Sequence, residues 1–195
     1  MDEQLGEYLE DLYRRGREHD ARKVDRVERL RNVEPATAQL LAVLVRALGA
    51  KRVLELGTSN GYSTLWLADA ARDVEGRLVS VDVDSVRTVQ ATEHLAHVGL
   101  RDYVELLTED GALTLSRARD ASLDMIFLDA ERSAYVGYWP DLIRVLRPGG
   151  LLVVDNVISH ADEVQAFREL VGNAQEIMEA LVPVGAGALL VVKDR

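Results

Sequence analysis

The sequence predicts an α/β fold built on a mostly parallel sheet, and three observations carry that prediction. Five short runs, "RVLEL", "RLVSVDV", "YVELL", "LDMIFLDA" and "GLLVVDN", are rich in Val, Ile and Leu and show little alternation of apolar and polar residues. Strands of that kind are covered on both faces. Stretches with helical spacing separate them, which is the strand and helix alternation of a doubly wound sheet. At the end of the chain, "AQEIMEALVPVG" and "ALLVVKD" are strand candidates joined through Gly185-Ala186-Gly187 with no room for a helix. They are expected to form a hairpin that leaves one C-terminal strand antiparallel.

The elements follow in order. Residues 2 to about 49 read as helices, because "LGEYLEDLYRR" and "PATAQLLAVLVRALGA" repeat apolar residues at spacings of three and four, and Pro35 suits a first helical turn. Packing, a lid or a subunit contact are the roles open to them. The helices between the strands are expected at Tyr62–Arg72, Ser85–Val98, Ala112–Arg119, Ser133–Leu146 and Asp162–Val171. The whole, 1–195, is expected to be one domain, with 1–49 a helical extension and 50–195 the α/β core.

Composition narrows the partners. The chain has no cysteine, so neither a disulfide framework nor a thiolate metal site is available. Its first residues alternate in charge where a signal peptide needs an apolar centre, and no segment approaches a membrane span. The reading is a soluble cytoplasmic protein with no membrane partner. A net charge of -10 disfavours broad contact with nucleic acid and leaves only a local basic patch open to it. A small-molecule partner fits better.

"VLELGTSNGYS" is a buried strand that runs into a loop nearly free of side chains and then a helix. In an open parallel sheet a ligand sits beyond the carboxyl ends of the strands, where the strand order reverses. Gly57 and Gly61 let backbone approach a ligand there, and the helix N-terminus offers N–H groups to an anion. Their spacing lacks the middle glycine of the dinucleotide fingerprint, whose role is to admit a pyrophosphate. Ser63 adds a hydroxyl donor in the first helical turn. Asp82 ends the second strand where an acid accepts from both hydroxyls of a ribose, with Asp84 as an alternative that falls where a helix N-cap is wanted. "TEDG", Thr108 to Gly111, offers a turn to edge a purine. Taken singly, the glycines need only serve a tight turn and Asp82 need only be a solvated acid. Taken together they favour an adenosine-bearing ligand that carries a carboxylate, a description S-adenosylmethionine meets.

"MIFLDA" and "LLVVDN" end successive predicted strands, so Asp129 and the Asp155-Asn156 pair should share one rim of the sheet. Two carboxylates and an amide oxygen are ligands for Mg²⁺ or Ca²⁺. The alternative is that each acid caps its own loop. Of the aromatic residues Tyr135, Tyr138 and Trp139 on the following helix, core packing is favoured over walling an aromatic acceptor.

These residues resemble the cation-dependent O-methyltransferase family, which includes catechol and caffeoyl-coenzyme A O-methyltransferases and small bacterial relatives. The resemblance runs from about "RNVEPATAQLL" to the C-terminus and rests on "VLELGTSNGYS", Asp82, "FLDAERSAYVGYW", "LRPGGLLVVDN" and "LVPVGAGALLVVK". It implies a Rossmann-like class I methyltransferase fold with a seven-stranded sheet, S-adenosylmethionine as methyl donor, Mg²⁺ or another divalent ion, and a homodimer. Carried over by position, it puts Val33 against the cofactor, Glu55, Gly57 and Ser63 at its methionine part, Asp82 and Val83 at the ribose, and Asp110 and Gly111 at the adenine side. Asp129, Asp155 and Asn156 become metal ligands, Asp129 also lying near the cofactor. The implied reaction is methyl transfer to a hydroxyl of a small catechol-like or phenolic acceptor, the metal orienting and acidifying it.

Two departures bear on the acceptor. Relatives of the catechol type carry a lysine three residues after the first metal aspartate, where this chain has Arg132. A guanidinium cannot serve as a base, so its roles are to stabilise a phenolate or clamp a substrate carboxylate, with solvent or His160 taking the proton. The loop after "DN" is short, and Ala186 stands where relatives often show an acid. Other readings are methylation of a hydroxylated tRNA base, a catalytically silent S-adenosylmethionine-binding protein, and a nicotinamide oxidoreductase.

Overall fold

The structure is a computed structural model and describes residues 2–194. Seven strands form one sheet: β1 (Arg52–Leu56), β2 (Arg77–Asp82), β3 (Val104–Thr108), β4 (Leu123–Leu128), β5 (Leu146–Val154), β6 (Ile177–Val182) and β7 (Ala188–Lys193). Their order is β3-β2-β1-β4-β5-β7-β6. The pairs among β1 to β5 are parallel, whereas β7 runs antiparallel to both β5 and β6. The expected hairpin is therefore present, and β7 rather than β6 enters the sheet beside β5.

Seven α-helices accompany the strands: α1 (Glu3–Ala21), α2 (Pro35–Leu48), α3 (Tyr62–Asp73), α4 (Ser85–His97), α5 (Gly111–Arg117), α6 (Tyr135–Val145) and α7 (Ala161–Gly172). Val53, Met125, Phe127, Leu151 and Val153 share one buried cluster with side chains of α1 to α4. Leu54, Leu56, Ile126, Leu128, Leu152 and Val154 share the other with α5 to α7. Both faces of the central strands are apolar because both are covered, which explains the missing alternation in the sequence.

Local signals set the ends of the elements. Asp2 caps α1 by accepting from the Leu5 amide at 2.8 Å, and Pro35 opens α2, which ends on Gly49 in the left-handed conformation. Buried Leu5, Leu9 and Leu12 form the inner stripe of α1 while its charged residues face solvent. Asp84 caps α4 through the Val86 and Arg87 amides, which leaves Asp82 as the acid at the end of β2. The predicted helix at Ser133–Leu146 is split, since Arg132–Ala134 forms a short 3-10 turn ahead of α6. Among the described residues no helix is long and apolar enough to cross a membrane.

Candidate active site

Strand order reverses between β1 and β4, and a cleft of about 580 Å³ opens at the carboxyl ends of the strands there. Gly57, Ser63, Asp82, Val83, Asp110, Gly111, Asp129, Arg132, Asp155, Asn156, His160 and Val33 all line it. Of the residues singled out from sequence, Glu55 and Gly61 are set back from the cleft wall, as are Asp84, Tyr135 and Trp139.

The β1 loop is held against the end of β4. The Gly57 amide donates to Val81 O at 2.9 Å, and the Asp129 amide donates to Leu56 O at 2.9 Å. Gly57 has φ +107, and a Cβ there would overlap the Asp129 carbonyl. Gly57→Ala is therefore expected to destabilise the fold by about 2 kcal/mol or more, measured as the midpoint of urea unfolding. An unchanged midpoint would mean that the loop relaxes freely.

Asp82 is positioned by backbone. Its Oδ2 accepts from the Ser59 amide at 2.8 Å and its Oδ1 from the Asp84 amide at 3.0 Å. Each oxygen keeps acceptor capacity toward the cleft, which suits a diol. Asp110 caps α5, and its Oδ1 accepts from the Ala112 amide and, at 3.1 Å, from the Tyr138 hydroxyl. Tyr138 thus joins the Asp110 and Gly111 end of the cleft, while Tyr135 is fully buried and donates to Ala130 O at 3.2 Å. Trp139 packs edge-on against Phe167 in the core.

Glu55 is buried behind this wall. Ser63 Oγ donates to its Oε1 at 2.6 Å, and Thr64 Oγ1 and Ser80 Oγ donate to its Oε2 at 2.5 and 2.6 Å. Burial pushes its carboxyl up to about 7, against the lowering effect of the three hydroxyls. Ser63 is not the free hydroxyl donor expected from sequence, because its proton is engaged by Glu55.

At the far end, the pairing of Leu128 with Val154 brings Asp129 and Asp155 side by side. The Asn156 amide nitrogen donates to Asp129 Oδ1 at 2.8 Å and to Asp155 Oδ2 at 3.2 Å. Asp155 Oδ1 is buried with no hydrogen-bond partner. Burial, then the charge of Asp155, raises the Asp129 carboxyl well above the usual range, and burial pushes Asp155 up to about 6. Asp124, at the opposite end of β4, is a useful contrast. It accepts from the Lys51 and Arg52 amides and the Arg147 guanidinium, as a structural acid should. Among the described residues no three His, Cys, Asp or Glu side chains form a metal cluster. The set here is two carboxylates and one amide, and a half-turn of the Asn156 amide would present its oxygen beside them. An orphaned buried carboxylate oxygen next to a second acid and an amide oxygen is a donor set that fits a hard cation.

The segment between α1 and α2 covers the cleft, and only Val33 of it was singled out from sequence. Arg31 pairs with Glu131 at 2.8 Å, Ser59 Oγ donates to Leu30 O at 2.7 Å, and Arg87 donates to the Val27 and Arg29 carbonyls. The Asp20 carboxylate anchors the segment through the Leu30 and Arg31 amides. The arginine-rich stretch "RVERLRN" between two helices was the available signal. Its partners, however, lie far away along the chain.

The sequence model of the O-methyltransferase family matches residues 6–193. The chain belongs to the O-methyltransferase family. A probable O-methyltransferase of Mycobacterium tuberculosis is 33% identical over 175 residues, covering 83% of this chain and 78% of that protein. A catechol O-methyltransferase of Niastella koreensis is 35% identical over 130 residues, covering 65% of this chain and 58% of its own. Among solved structures, the O-methyltransferase TomG of Streptomyces achromogenes, involved in tomaymycin synthesis and crystallised with S-adenosylmethionine, superposes with a TM-score of 0.80. It is 28% identical, covering 100% of this chain and 91% of TomG. Membership in this O-methyltransferase family removes the nicotinamide oxidoreductase reading, in agreement with the missing middle glycine.

Proposed function

We propose that this O-methyltransferase moves the methyl group of S-adenosylmethionine to a hydroxyl of a small catechol-like or phenolic acceptor, assisted by Mg²⁺ or a similar divalent ion. The observation that carries the reading is the pairing of Asp129 and Asp155 on the cleft wall, with Asp155 Oδ1 buried and unpartnered beside Asn156. When bound, the divalent ion would orient an acceptor hydroxyl and lower its pKa, and the sulfonium donor would supply an electrophilic methyl. Asp129, Asp155 and Asn156 would hold the ion. Asp82 would accept from the ribose hydroxyls, and the loop from Gly57 to Ser63 would take the methionine end. Gly111 would edge the adenine, and a Cβ there would crowd Leu56 at 3.2 Å and the Tyr138 hydroxyl at 3.3 Å. The segment from Arg26 to Glu34 would close over the reactants and exclude water. His160, on the same cleft wall and bonded through Nδ1 to Ser159 Oγ at 2.8 Å, would relay the acceptor proton to solvent. The homodimer and the cytoplasmic location belong to this reading through the family resemblance.

The test is the thermal unfolding midpoint with S-adenosylhomocysteine, with and without Mg²⁺. A ligand at about a hundredfold its dissociation constant adds about 2.7 kcal/mol of stability, a visible rise. A rise with the homocysteine product and a further rise with Mg²⁺ are expected; no response to either would sink the reading. Asp82→Asn is expected to weaken S-adenosylhomocysteine binding by about tenfold or more, read by calorimetry, since one acceptor oxygen becomes a donor. Unaltered affinity would remove Asp82 from the ribose site.

A further inference from the structure

Arg132 follows β4 by way of the short turn that precedes α6, lines the cleft, and is only 5% exposed. Its Nε donates to Glu163 Oε2 at 2.6 Å, whereas its Nη2 is buried with no partner. A guanidinium stays charged at any accessible pH and carries five N–H donors, so a buried unpaired one is costly unless a ligand completes it. Glu163 is also shared, because its Oε1 takes Arg26 at 3.3 Å. On this side of the cleft three guanidiniums, Arg26, Arg31 and Arg132, are met by two carboxylates, Glu131 and Glu163. Arg132 therefore shares its one carboxylate with Arg26, and Glu131 is taken by Arg31. A divalent ion on Asp129 and Asp155 would neutralise the nearest acids and leave Arg132 open to another anion, so the inference rests on the proposed function.

We propose that Arg132 receives an anionic carboxylate of the acceptor, and that the acceptors are hydroxylated aromatic acids. A carboxylate presents two coplanar oxygens that match adjacent guanidinium N–H groups, and the resulting charge-assisted bonds are strong and directional. The carboxylate would seat the ring on the Arg132 side and leave its hydroxyls toward Asp129, Asp155 and Asn156. A neutral catechol would leave the guanidinium incomplete, and an amine at the same place would meet like charge.

The test is calorimetric binding of an ortho-dihydroxybenzoate, unsubstituted catechol and an ortho-dihydroxybenzylamine to the protein saturated with S-adenosylhomocysteine and Mg²⁺. The benzoate is expected to bind about tenfold or more tightly than catechol, and the amine more weakly than either. Arg132→Met is expected to bring the benzoate and catechol within about twofold of each other. Arg132→Lys keeps the charge and loses the fork, so part of the preference should remain. A residue that only tied the turn to α7 would lower stability without altering this ratio. Equal binding of benzoate and catechol by the unaltered protein, a preference that survives Arg132→Met, or no binding of either compound would overturn the proposal. Should the methionine variant not fold, a full preference in Arg132→Lys would overturn it as well. The stabilisation by S-adenosylhomocysteine reports separately on the proposed function. If that is present while the benzoate preference is absent, only the role of Arg132 falls.

Discussion

Replacing Asp155 by alanine is expected to abolish both methyl transfer and the stabilisation by Mg²⁺, while the stabilisation by S-adenosylhomocysteine remains. Asp155 Oδ1 is buried and unpartnered, next to Asp129, and the Asn156 amide reaches both carboxylates. Removing one of two carboxylates takes away half of the negative charge available to a divalent ion. A fall of about a thousandfold in kcat/KM, equivalent to about 4 kcal/mol of barrier, is the scale expected when such an ion no longer polarises the acceptor. In the absence of Mg²⁺ the variant should be at least as stable as the unaltered protein at neutral pH, because burial disfavours the Asp155 charge. A Mg²⁺ response that survives the substitution would show that the ion binds elsewhere, and the measurement needs only melting curves and a methyl-transfer assay.

Glu55 should make the fold less stable as pH rises. Burial raises its carboxyl from the ordinary value of 4.5 to about 7. Below the lower value both folded and unfolded chains hold the proton, and Glu55 contributes nothing to the pH dependence. Between the two, the unfolded chain releases the proton while the folded chain keeps it, so stability falls with increasing pH. Above about 7 both are ionised and the full cost, about 3 kcal/mol, is present. Glu55→Gln is expected to reduce the slope of the stability profile across that window, the remaining slope belonging to Asp129 and Asp155, as followed by urea unfolding at a series of pH values. Thr64, Ser63 and Ser80 can reorient their hydroxyls toward the amide, so the variant should fold. A profile parallel to that of the unaltered protein would mean that Glu55 is ionised at its ordinary pKa and that the three hydroxyls offset its burial.

The acids that matter were legible along the chain for a simple reason. Asp82, Asp129 and Asp155 each stand at or just past the end of a strand whose apolar run is unmistakable, and parallel strands put their ends at one rim. Gly57 was legible because a tight strand-to-helix turn leaves no room for a side chain. What an acid's neighbours do to it was not legible. Glu55 and Asp124 both belong to predicted strands, yet one is fully buried among hydroxyls and the other is satisfied by amides and arginines. Tyr138 could be placed on a helix but not at the Asp110 end of the cleft, since that depends on how α6 packs beside α5.

From the sequence alone came the mostly parallel sheet covered by helices on both faces, the C-terminal hairpin, the glycine turn and the strand-end acids. Each of these follows from residues close together in the chain, through periodicity, turn chemistry and the common direction of parallel strands. The tertiary structure alone decided that β7 inserts beside β5, that the arginines between α1 and α2 cover the cleft, and that Glu163 holds one edge of Arg132. Arg31 meets Glu131 across 100 residues and Arg132 meets Glu163 across 31, contacts that no local pattern encodes. Their geometry exists only after the two apolar faces of the sheet have been covered, because it is that packing which brings the N-terminal segment and α7 together at one cleft, where Arg26 meets Glu163.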